Sequence, residues 1–375
     1  MRPPHPTRRI SLSTGSDPIS APLLPELVEG ALRQFFVSRA PVVDSVGGGY
    51  RDAVTALESF VLRGGKRVRP SFAWTGWVGA GGDPKGTDAG AVLRACSALE
   101  LVQAGALIHD DIIDASTTRR GFETVHIDFA RRHRGAGWHG RPEQFGEAVA
   151  ILLGDLALVW ADDMLRDSGL DAESLARVGP VWSAMRTEVL GGQYLDIAGE
   201  VSADESVEAA TRVNRYKTAA YTIERPLHLG AVIAGADDAL IDAYRRFGTD
   251  IGLAFQLRDD LLGVFGDPHV TGKPSGDDLR SGKRTVLFAL ALETADVNDP
   301  VAAEVLREAI GTDLTDEQVE RLRMLLIELG AVEQVEQRIA TLTERAFEAL
   351  DGSTATEVGK AHLRASALAA TLRTA

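Results

Sequence analysis

The segment that decides the fold is LELVQAGALIHDDIID, which covers residues 99 to 114. Its apolar residues recur at helical spacing and predict a long helix that faces a core. With successive residues about 100° apart, Asp110 and Asp114 lie about 40° from each other on this helix, while Asp111 is turned to the side. Two carboxylates on one face suit Mg²⁺, which keeps several waters and takes other ligands from substrate phosphates. The segment therefore predicts a helical protein with a metal site at one helix end.

A second pair of carboxylates closes another apolar segment, FQLRDDLLG, residues 255 to 263. Asp259 and Asp260 follow a helical pattern that passes through Phe247. Ionised groups at the end of a core-facing helix are unfavourable unless they meet a cation. Helical bundles often hold metal ions between facing helices that carry carboxylates. We therefore expect both aspartate pairs to face one site.

A basic stretch, GGKRVRP, occupies residues 64 to 70. Paired glycines let the backbone approach a ligand closely, and ammonium and guanidinium groups are suitable donors to phosphate. Arg119 and Arg120 add a second basic pair shortly after Asp114. The stretch lacks the spacing of a nucleotide-binding P-loop, so we interpret it as a site for another phosphate compound.

Composition excludes several other classes. A formal net charge of −14 argues against general nucleic-acid binding, which relies on an excess of Lys and Arg. The single cysteine, Cys96, cannot form an internal disulfide, which fits a reducing cytoplasm. Because no uninterrupted apolar run reaches spanning length, we expect no stable membrane anchor. We expect residues 1 to 21 to be a disordered tail, because the N-terminal arginines are not followed by an apolar stretch.

Helical periodicity recurs throughout the remaining sequence, and strand-like alternation is nearly absent. We predict an all-α protein with a single domain over residues 22 to 375, because the motifs make sense only if they converge. The predicted helices are Leu23–Val37, Tyr50–Leu62, Pro70–Gly79, Ala89–Ala115, Phe145–Leu165, Leu175–Ala198, Glu205–Leu229, Asp238–Val264, Thr285–Glu293, Val301–Leu306, Asp316–Gly330 and Val332–Leu350. Loops are predicted at Gly79–Gly86, His133–Pro142 and Gly266–Gly276.

Taken together, the motifs resemble the trans-isoprenyl diphosphate synthase family, the polyprenyl synthetases, over roughly residues 25 to 350. The matching landmarks are GGKRVRP, HDDIID, RRG at 119 to 121, GGQYLD at 191 to 196, KTAAYT at 217 to 222, FQLRDD at 255 to 260, and GKPSGDDLRSGKRT at 272 to 285. The resemblance implies a helical bundle of the isoprenoid synthase type around a central cavity. It also implies a prenyltransferase, usually homodimeric, that joins isopentenyl diphosphate to an allylic diphosphate (DMAPP, GPP or FPP) and releases diphosphate.

The same resemblance implies a role for each matching residue. Isopentenyl diphosphate would be bound by Lys66, Arg69, Gln103 and Arg120, and the allylic diphosphate would be held by Arg119. The residues that would contact that diphosphate or stabilise its departure are Lys217, Thr218, Gln256, Lys273 and Lys283. Two Mg²⁺ ions would be held by Asp110 and Asp114 and a third by Asp259, with Mn²⁺ as an alternative ion, and the supporting residues would be Asp111, Asp260 and Asp196. The residues expected to be essential for catalysis are Lys217, Asp110, Asp114 and Asp259.

One position departs from the family pattern. The second aspartate motif ends in Gly263, where many relatives have a third aspartate. Metal contact in the family is made chiefly by the first aspartate of this motif. We therefore expect activity to survive, with altered metal affinity.

The helix that carries the first motif also bears on product length. Leu99, Gln103, Ala106 and Asp110 share one face, which should line the cavity for the growing product tail. Gly105 and Ala106 are small, whereas relatives that stop at C15 often carry an aromatic ring there. The resemblance thus implies geranylgeranyl diphosphate (C20), with farnesyl and longer products as alternatives. Leu99, about 16 Å from Asp110 along the helix, or a residue on a neighbouring helix would form the cavity floor.

Two other classes of protein share some of these features. A class I terpene cyclase would have an all-α fold and a DDxxD motif, but FQLRDD does not fit its second metal motif, and Lys66 and Arg69 would have no role. A non-catalytic partner subunit would usually lack aspartates or the GGK cluster, both of which are present in this chain.

Overall fold

The structure is a computed structural model that describes residues 23–266 and 276–372. It confirms the all-α prediction. The helices are α1 (Leu24–Val46), α2 (Tyr50–Leu62), α3 (Val68–Gly79), α4 (Ala89–Ile113), α5 (Val125–Ala136), α6 (Pro142–Arg166), α7 (Ala172–Ser202), α8 (Val207–Val213), a π-helix (Asn214–Glu224), α9 (Arg225–Ile233), α10 (Asp238–Phe265), α11 (Asp277–Arg280), α12 (Val286–Asn298), α13 (Pro300–Ala309), α14 (Asp316–Glu328), α15 (Ala331–Asp351) and α16 (Glu357–Thr371). Strands β1 (Thr118–Arg119) and β2 (Phe122–Glu123) form a short antiparallel hairpin. The predicted tail lies outside the described residues.

Most predicted helices are present, although α1 extends nine residues past its predicted end at Val37. Three helices were missed: the single-turn α11 and the longer α5 and α16. Helix α5 begins within a segment for which no helix was predicted and extends into the predicted loop His133–Pro142. Its sequence, VHIDFARRHRGA, is so polar that helical periodicity is weak, yet Val125 and Phe129 are buried. Helix α16 was missed because its small residues give little apolar contrast.

Helix α4 runs through the largest hydrophobic core. It packs against α6 and also contacts α1 and α3. Leu99, Leu101 and Ile108 are fully buried in this core. By length and composition α4 is apolar enough to cross a membrane, but 72% of its most apolar window is buried inside the protein. The hydropathy of α4 is therefore accounted for by its place in the core, and the first aspartate motif stands at its end.

The predicted helix Glu205–Leu229 is broken into three pieces, of which the middle one is the π-helix Asn214–Glu224. A π-helix is wider than an α-helix because its hydrogen bonds close five residues apart. Glycines on its neighbours leave room for it: a Cβ on Gly192 of α7 would lie 2.2 Å from the Lys217 backbone nitrogen. A Cβ on Gly252 of α10 would lie 2.6 Å from the Ala219 Cα. The π-helix thus lies tightly between α7 and α10.

Candidate active site

The first aspartate motif stands at the C-terminal end of α4, with Asp114 as the residue that caps the helix. Asp111 is buried, and its carboxylate accepts a 2.6 Å hydrogen bond from Arg119 Nε. Burial raises the pKa of Asp111 to about 6, although Arg119 opposes this change. Asp114 is exposed, and partial desolvation together with the neighbouring Asp110 raises its pKa. The motif therefore contains one fully buried carboxylate, Asp111, and two that lie toward the surface, of which Asp114 is exposed and Asp110 is only 18% exposed.

Asp110 occupies the centre of a group of charges. Arg119 Nη2 lies 3.3 Å from one of its carboxylate oxygens, and Lys217 Nζ lies 3.2 Å from the other. The same Lys217 ammonium pairs with Asp196 on α7 at 2.5 Å. Desolvation lowers the pKa of Lys217, but the carboxylates of Asp196 and Asp110 outweigh it, and the net change is upward. Three sequence-predicted residues, Asp110, Asp196 and Lys217, are thus brought together.

The second aspartate motif shows the same division. Asp259 is exposed and Asp260 is completely buried. Both lie in the second half of α10, which continues past them to Phe265, so the pair does not close the helix as the sequence suggested. The Asp260 carboxylate accepts hydrogen bonds from Gln256 at 2.8 Å, Asn214 at 3.3 Å and Lys283 at 3.2 Å. Burial raises the pKa of Asp260, although Lys283 opposes the change. Asp260 therefore joins α10 to the π-helix and to Lys283, and its supporting role toward the metal stays a prediction.

The π-helix connects the two aspartate motifs. Asn214 donates to Asp260, and Lys217, three residues later, contacts Asp110 and Asp196. The two residues fall within one π-turn, so the carboxylates that they contact belong to one region. Burial acts to lower the pKa of Lys283, but the carboxylates of Asp278, Asp260 and Asp196 together outweigh this effect and raise it. These contacts bring the two aspartate motifs into one region, and their sharing of one metal site stays a prediction.

The basic stretch at residues 64 to 70 contacts Arg120, which follows the first aspartate motif. Arg120 Nη1 donates a 3.1 Å hydrogen bond to the Gly64 carbonyl, and a Cβ on Gly65 would lie 3.2 Å from the same nitrogen. Both glycines have positive φ, at 89° and 129°, so the turn requires them. Desolvation lowers the pKa of Arg120, and the cations Arg67 and Arg119 lower it further, against Glu100. This concentration of positive charge is suited to a multiply charged anion.

Two residues that were predicted to bind isopentenyl diphosphate are linked by Tyr221. Arg69 donates a 2.8 Å hydrogen bond to Thr222, and its guanidinium lies 3.9 Å from the centre of the Tyr221 ring. The Tyr221 hydroxyl donates to the Gln103 side-chain carbonyl. Arg69 Nε is buried and receives no hydrogen-bond partner within the described residues. Tyr221 therefore contacts both residues, Arg69 with the face of its ring and Gln103 with its hydroxyl.

The other residues that were predicted to bind a diphosphate differ in their exposure. Lys66 is exposed, and Thr218 is half-buried directly after Lys217. Gln256 is buried with its amide on Asp260, so its contact with the allylic diphosphate stays a prediction. Lys273 lies outside the described residues.

The structure also explains why position 263 is a glycine. A Cβ on Gly263 would lie 2.1 Å from Asp278 Oδ2, because the Asp278 side chain of α11 fills that space. The Asp278 carboxylate is mostly buried and lies 3.8 Å from Lys283 Nζ. A carboxylate therefore does stand beside α10 at this point, but Asp278 supplies it.

Gly105 corrects one expectation about product length. It was predicted to leave open space, but it is buried against α6. A Cβ there would lie 2.8 Å from Leu158 Cγ and 2.9 Å from the Gly154 carbonyl oxygen. Ala106 is half-buried, whereas Leu99 is fully buried in the core, and their roles in lining the product cavity stay predictions. The small size of Gly105 therefore serves the α4–α6 contact in the first place.

The carboxylates can supply only part of the coordination shell of Mg²⁺, so a substrate must supply other ligands. Within residues 23–266 and 276–372, no three His, Cys, Asp or Glu side chains converge closely enough to hold an ion. One oxygen of Asp110 is buried and receives no hydrogen bond, although Lys217 is near. Mg²⁺ commonly takes one or two carboxylates and completes its shell with phosphates and water. Exposed aspartates beside a cationic cluster match that ligand set.

Sequence reasoning missed several residues that shape the site. Arg67 is buried with φ at +48°, and its guanidinium pairs with Glu100 of α4 at 2.5 Å. Asn214 and Tyr221 also had no predicted role. Their only signal was proximity to a landmark: Arg67 lies inside GGKRVRP, and Tyr221 lies inside KTAAYT.

Known proteins match the chain over most of its length. The sequence profile of the family described as polyprenyl synthetase matches residues 52–326. A crystal structure of geranylgeranyl pyrophosphate synthase from Corynebacterium glutamicum, complexed with isoprenyl diphosphate and magnesium, is 52% identical and has a TM-score of 0.91. That match covers 95% of this chain and 100% of the neighbour.

Two relatives differ in the product that their names specify. A geranylfarnesyl diphosphate synthase from Aeropyrum pernix is 33% identical over 77% of this chain and 84% of its own length. A geranylgeranyl diphosphate synthase from Mycobacterium tuberculosis is 37% identical over 61% of this chain and 59% of its own.

Proposed function

The chain belongs to the polyprenyl synthetase family, and we propose that its product is geranylgeranyl diphosphate. It is a prenyltransferase that joins isopentenyl diphosphate to an allylic diphosphate and releases diphosphate. The observation that carries this function is the convergence of two aspartate motifs and a basic cluster around the π-helix.

We propose that the basic residues divide the two substrates between them. Lys66, Arg69 and Arg120, together with Gln103, bind the diphosphate of isopentenyl diphosphate. Arg120 contacts the turn at Gly64, and Arg69 and Gln103 both contact Tyr221, which supports this assignment. Lys217 and Arg119 lie beside Asp110, where the leaving diphosphate would carry its charge. Cations that are already fixed where negative charge develops lower the activation barrier of the reaction, because the site does not have to reorganise.

The family uses Mg²⁺, and we propose three ions in each site. Asp110 and Asp114 would hold two of them and Asp259 the third, with Mn²⁺ as an alternative ion. When bound, Mg²⁺ withdraws charge from the departing diphosphate oxygens. The exposure of Asp114 and Asp259 supports this assignment, because both carboxylates can accept an outside ligand.

After ionisation, the allylic carbocation must react with the isopentenyl double bond before water can trap it. The apolar side chains on α4 beside Gln103 serve to exclude water from this step. Addition leaves a carbocation on the isopentenyl unit, and loss of a proton from the adjacent carbon forms the new double bond. The released diphosphate is the proposed base for this proton, so that no side-chain base is required.

The C20 product is supported by Ala106, which is small and half-buried, four residues before Asp110. Replacing Ala106 with Phe should shorten the product to C15 or less by filling the space beside the tail. Ala340→Phe, the same change at an exposed position on α15, should leave product length unchanged. Chain-length analysis of the products checks both variants, and an unchanged product from Ala106→Phe would contradict the proposal.

We also propose that the protein forms a homodimer through α6 and α7. Ile151, Leu152 and Val159 of α6 are exposed, as are Tyr194 and Val201 of α7. Exposed apolar residues in rows mark surfaces that another protein covers. Leu152→Glu should lower the sedimentation coefficient to that of a monomer, whereas Ile327→Glu on α14 should not.

The direct test is a product assay with labelled isopentenyl diphosphate, Mg²⁺ and each of the C5, C10 and C15 allylic diphosphates. A linear C20 product is expected from every primer that is accepted. A C15 or C25 product would overturn the chain length alone, and no incorporation with any primer would overturn the activity.

A further inference from the structure

The two ends of the π-helix Asn214–Glu224 are joined by one ion pair. Arg215, its second residue, donates a hydrogen bond from Nη1 to Oε2 of Glu224, its last residue. The Glu224 side chain is only 1% exposed, and its other oxygen accepts a 3.0 Å hydrogen bond from Arg245 Nε on α10. A buried carboxylate stays ionised only with cationic partners. Glu224 therefore depends on one arginine within the π-helix and on one outside it.

The ion pair between Arg215 and Glu224 requires the π-helical winding. The two residues are nine apart in the sequence. In an α-helix, nine residues turn through about 900° and rise about 13.5 Å, which would place the two side chains on opposite faces. Because the hydrogen bonds of a π-helix close five residues apart, one turn takes about 4.4 residues, and nine residues complete about two turns. The two side chains thus return to one face only when the segment is π-helical.

The packing against α10 follows the same winding. A Cβ on Gly252 would lie 2.6 Å from the Ala219 Cα, and a Cβ on Gly248 would lie 2.5 Å from the Glu224 Cα. The two glycines are four residues apart, which is about one turn of an α-helix. Their contacts on the π-helix are five residues apart, which is about one π-turn. One turn of α10 is therefore matched to one turn of the π-helix.

The winding determines the direction of Lys217. Its ammonium lies 3.2 Å from Asp110 and 2.5 Å from Asp196. If the segment became α-helical, each residue would turn by about 100° instead of about 82°. Over the seven residues from Lys217 to Glu224, this difference would rotate Lys217 by about 130° when the Glu224 end stays fixed. The ammonium would then leave both carboxylates.

We propose that Arg215 and Glu224 are positioning residues, which hold the π-helix in its winding and so direct Lys217 toward the leaving diphosphate. The inference rests on the proposed function, because it requires that Lys217 binds this diphosphate. Glu224 is enclosed in the protein, so its effect on the reaction runs through the winding and not through contact with the substrate.

The test compares Arg215→Met with Arg245→Met. Each change removes one cation from the same buried carboxylate and keeps an apolar stem, but only Arg215 belongs to the π-helix. Inorganic diphosphate is titrated into each full-length protein in the presence of Mg²⁺, and kcat is measured with labelled isopentenyl diphosphate and the C15 primer. We expect Arg215→Met to weaken diphosphate binding and to lower kcat, each about 10-fold, and Arg245→Met to change either by less than about 2-fold. Arg215→Lys, which keeps the cation on a different stem, should lie between wild type and Arg215→Met.

A second comparison separates positioning from a general loss of stability. In Lys217→Ala the side chain to be positioned is absent, so adding Arg215→Met should lower kcat by less than about 2-fold. Equal losses from Arg215→Met in the two backgrounds, or equal losses in Arg215→Met and Arg245→Met, would overturn this inference and leave the prenyltransferase function intact. Full turnover by Lys217→Ala alone would overturn the proposed role of Lys217 and this inference together.

Discussion

The two aspartate motifs differ in which residue is buried. In the first motif the outer residues Asp110 and Asp114 face the site, and the middle residue Asp111 is held by Arg119. In the second motif the first residue, Asp259, is exposed, and the second, Asp260, is held by three donors. Each motif thus contains one carboxylate that anchors the helix end and at least one that can accept an outside ligand.

The comparison teaches that adjacent aspartates do not share one role. Neighbouring residues on a helix point about 100° apart, so only one of two can face the site. The other meets the protein interior, where an ionised carboxylate requires cationic or hydrogen-bonding partners. Arg119 provides them in the first motif, and Lys283 with two amides provides them in the second.

The largest expected effect comes from an outward-facing carboxylate. Asp110→Asn should lower kcat by about 10²- to 10³-fold, because it removes charge from the place where diphosphate departs. Its free energy of unfolding should change little, because Lys217 and Arg119 keep their ion pairs with Asp196 and Asp111. Steady-state kinetics and urea unfolding would check the two parts, and near-wild-type kcat would contradict the division of roles.

A buried carboxylate should show the opposite pattern. Asp260→Asn should lower the free energy of unfolding by about 2 kcal/mol, because Asn places a donor opposite Asn214 or Gln256, which already donate. Urea unfolding without Mg²⁺ gives this value. Asp259→Asn is the matched control at the neighbouring exposed position, and equal destabilisation of the two variants would argue against an anchoring role for Asp260.

A third aspartate in the second motif should be unfavourable in this chain. Gly263→Asp should cost about 1 to 3 kcal/mol of stability, because its side chain overlaps Asp278. Adding Asp278→Gly should recover most of the loss. Thermal unfolding of the single and double variants checks this, and a stable, more active Gly263→Asp protein would show that the glycine has no packing reason.

The smallest expected effect concerns the basic stretch. There too a buried residue, Arg67, lies next to an exposed one, Lys66. Glu100→Gln should raise KM for isopentenyl diphosphate about 3- to 10-fold with kcat unchanged, because it loosens Arg67 between Lys66 and Arg69. Steady-state kinetics at varied isopentenyl diphosphate measures both constants. A fall in kcat alone would place Glu100 in the chemical step.

Sequence reasoning predicted the fold and the main site residues because helical periodicity and charged landmarks are local signals. The long helix that carries Asp110 near its C-terminal end and the helix that carries Asp260 were both recognisable from apolar spacing. The π-helix was not, because its width depends on glycines in α7 and α10 that are remote in sequence. Helix α5 was missed because its polar sequence hides the few buried residues that hold it.

The side-chain partnerships could be predicted only in part. No local feature of the sequence shows that Leu158 occupies the space beside Gly105, or that Asp278 lies beside Gly263. Both contacts join residues from different helices, and a single sequence does not record such pairs. The smallness of Gly105 was therefore taken for open space, when a neighbouring helix occupies it.

The central claim is that the outward-facing carboxylates bind Mg²⁺ together with a diphosphate, while the buried ones hold the structure. Titration calorimetry of Mg²⁺ into the protein, with and without inorganic diphosphate, tests it most directly. The account predicts tight binding only when diphosphate is present, loss of that binding in Asp110→Asn, and its retention in Asp260→Asn. Tight Mg²⁺ binding without diphosphate, or full binding by Asp110→Asn, would contradict it.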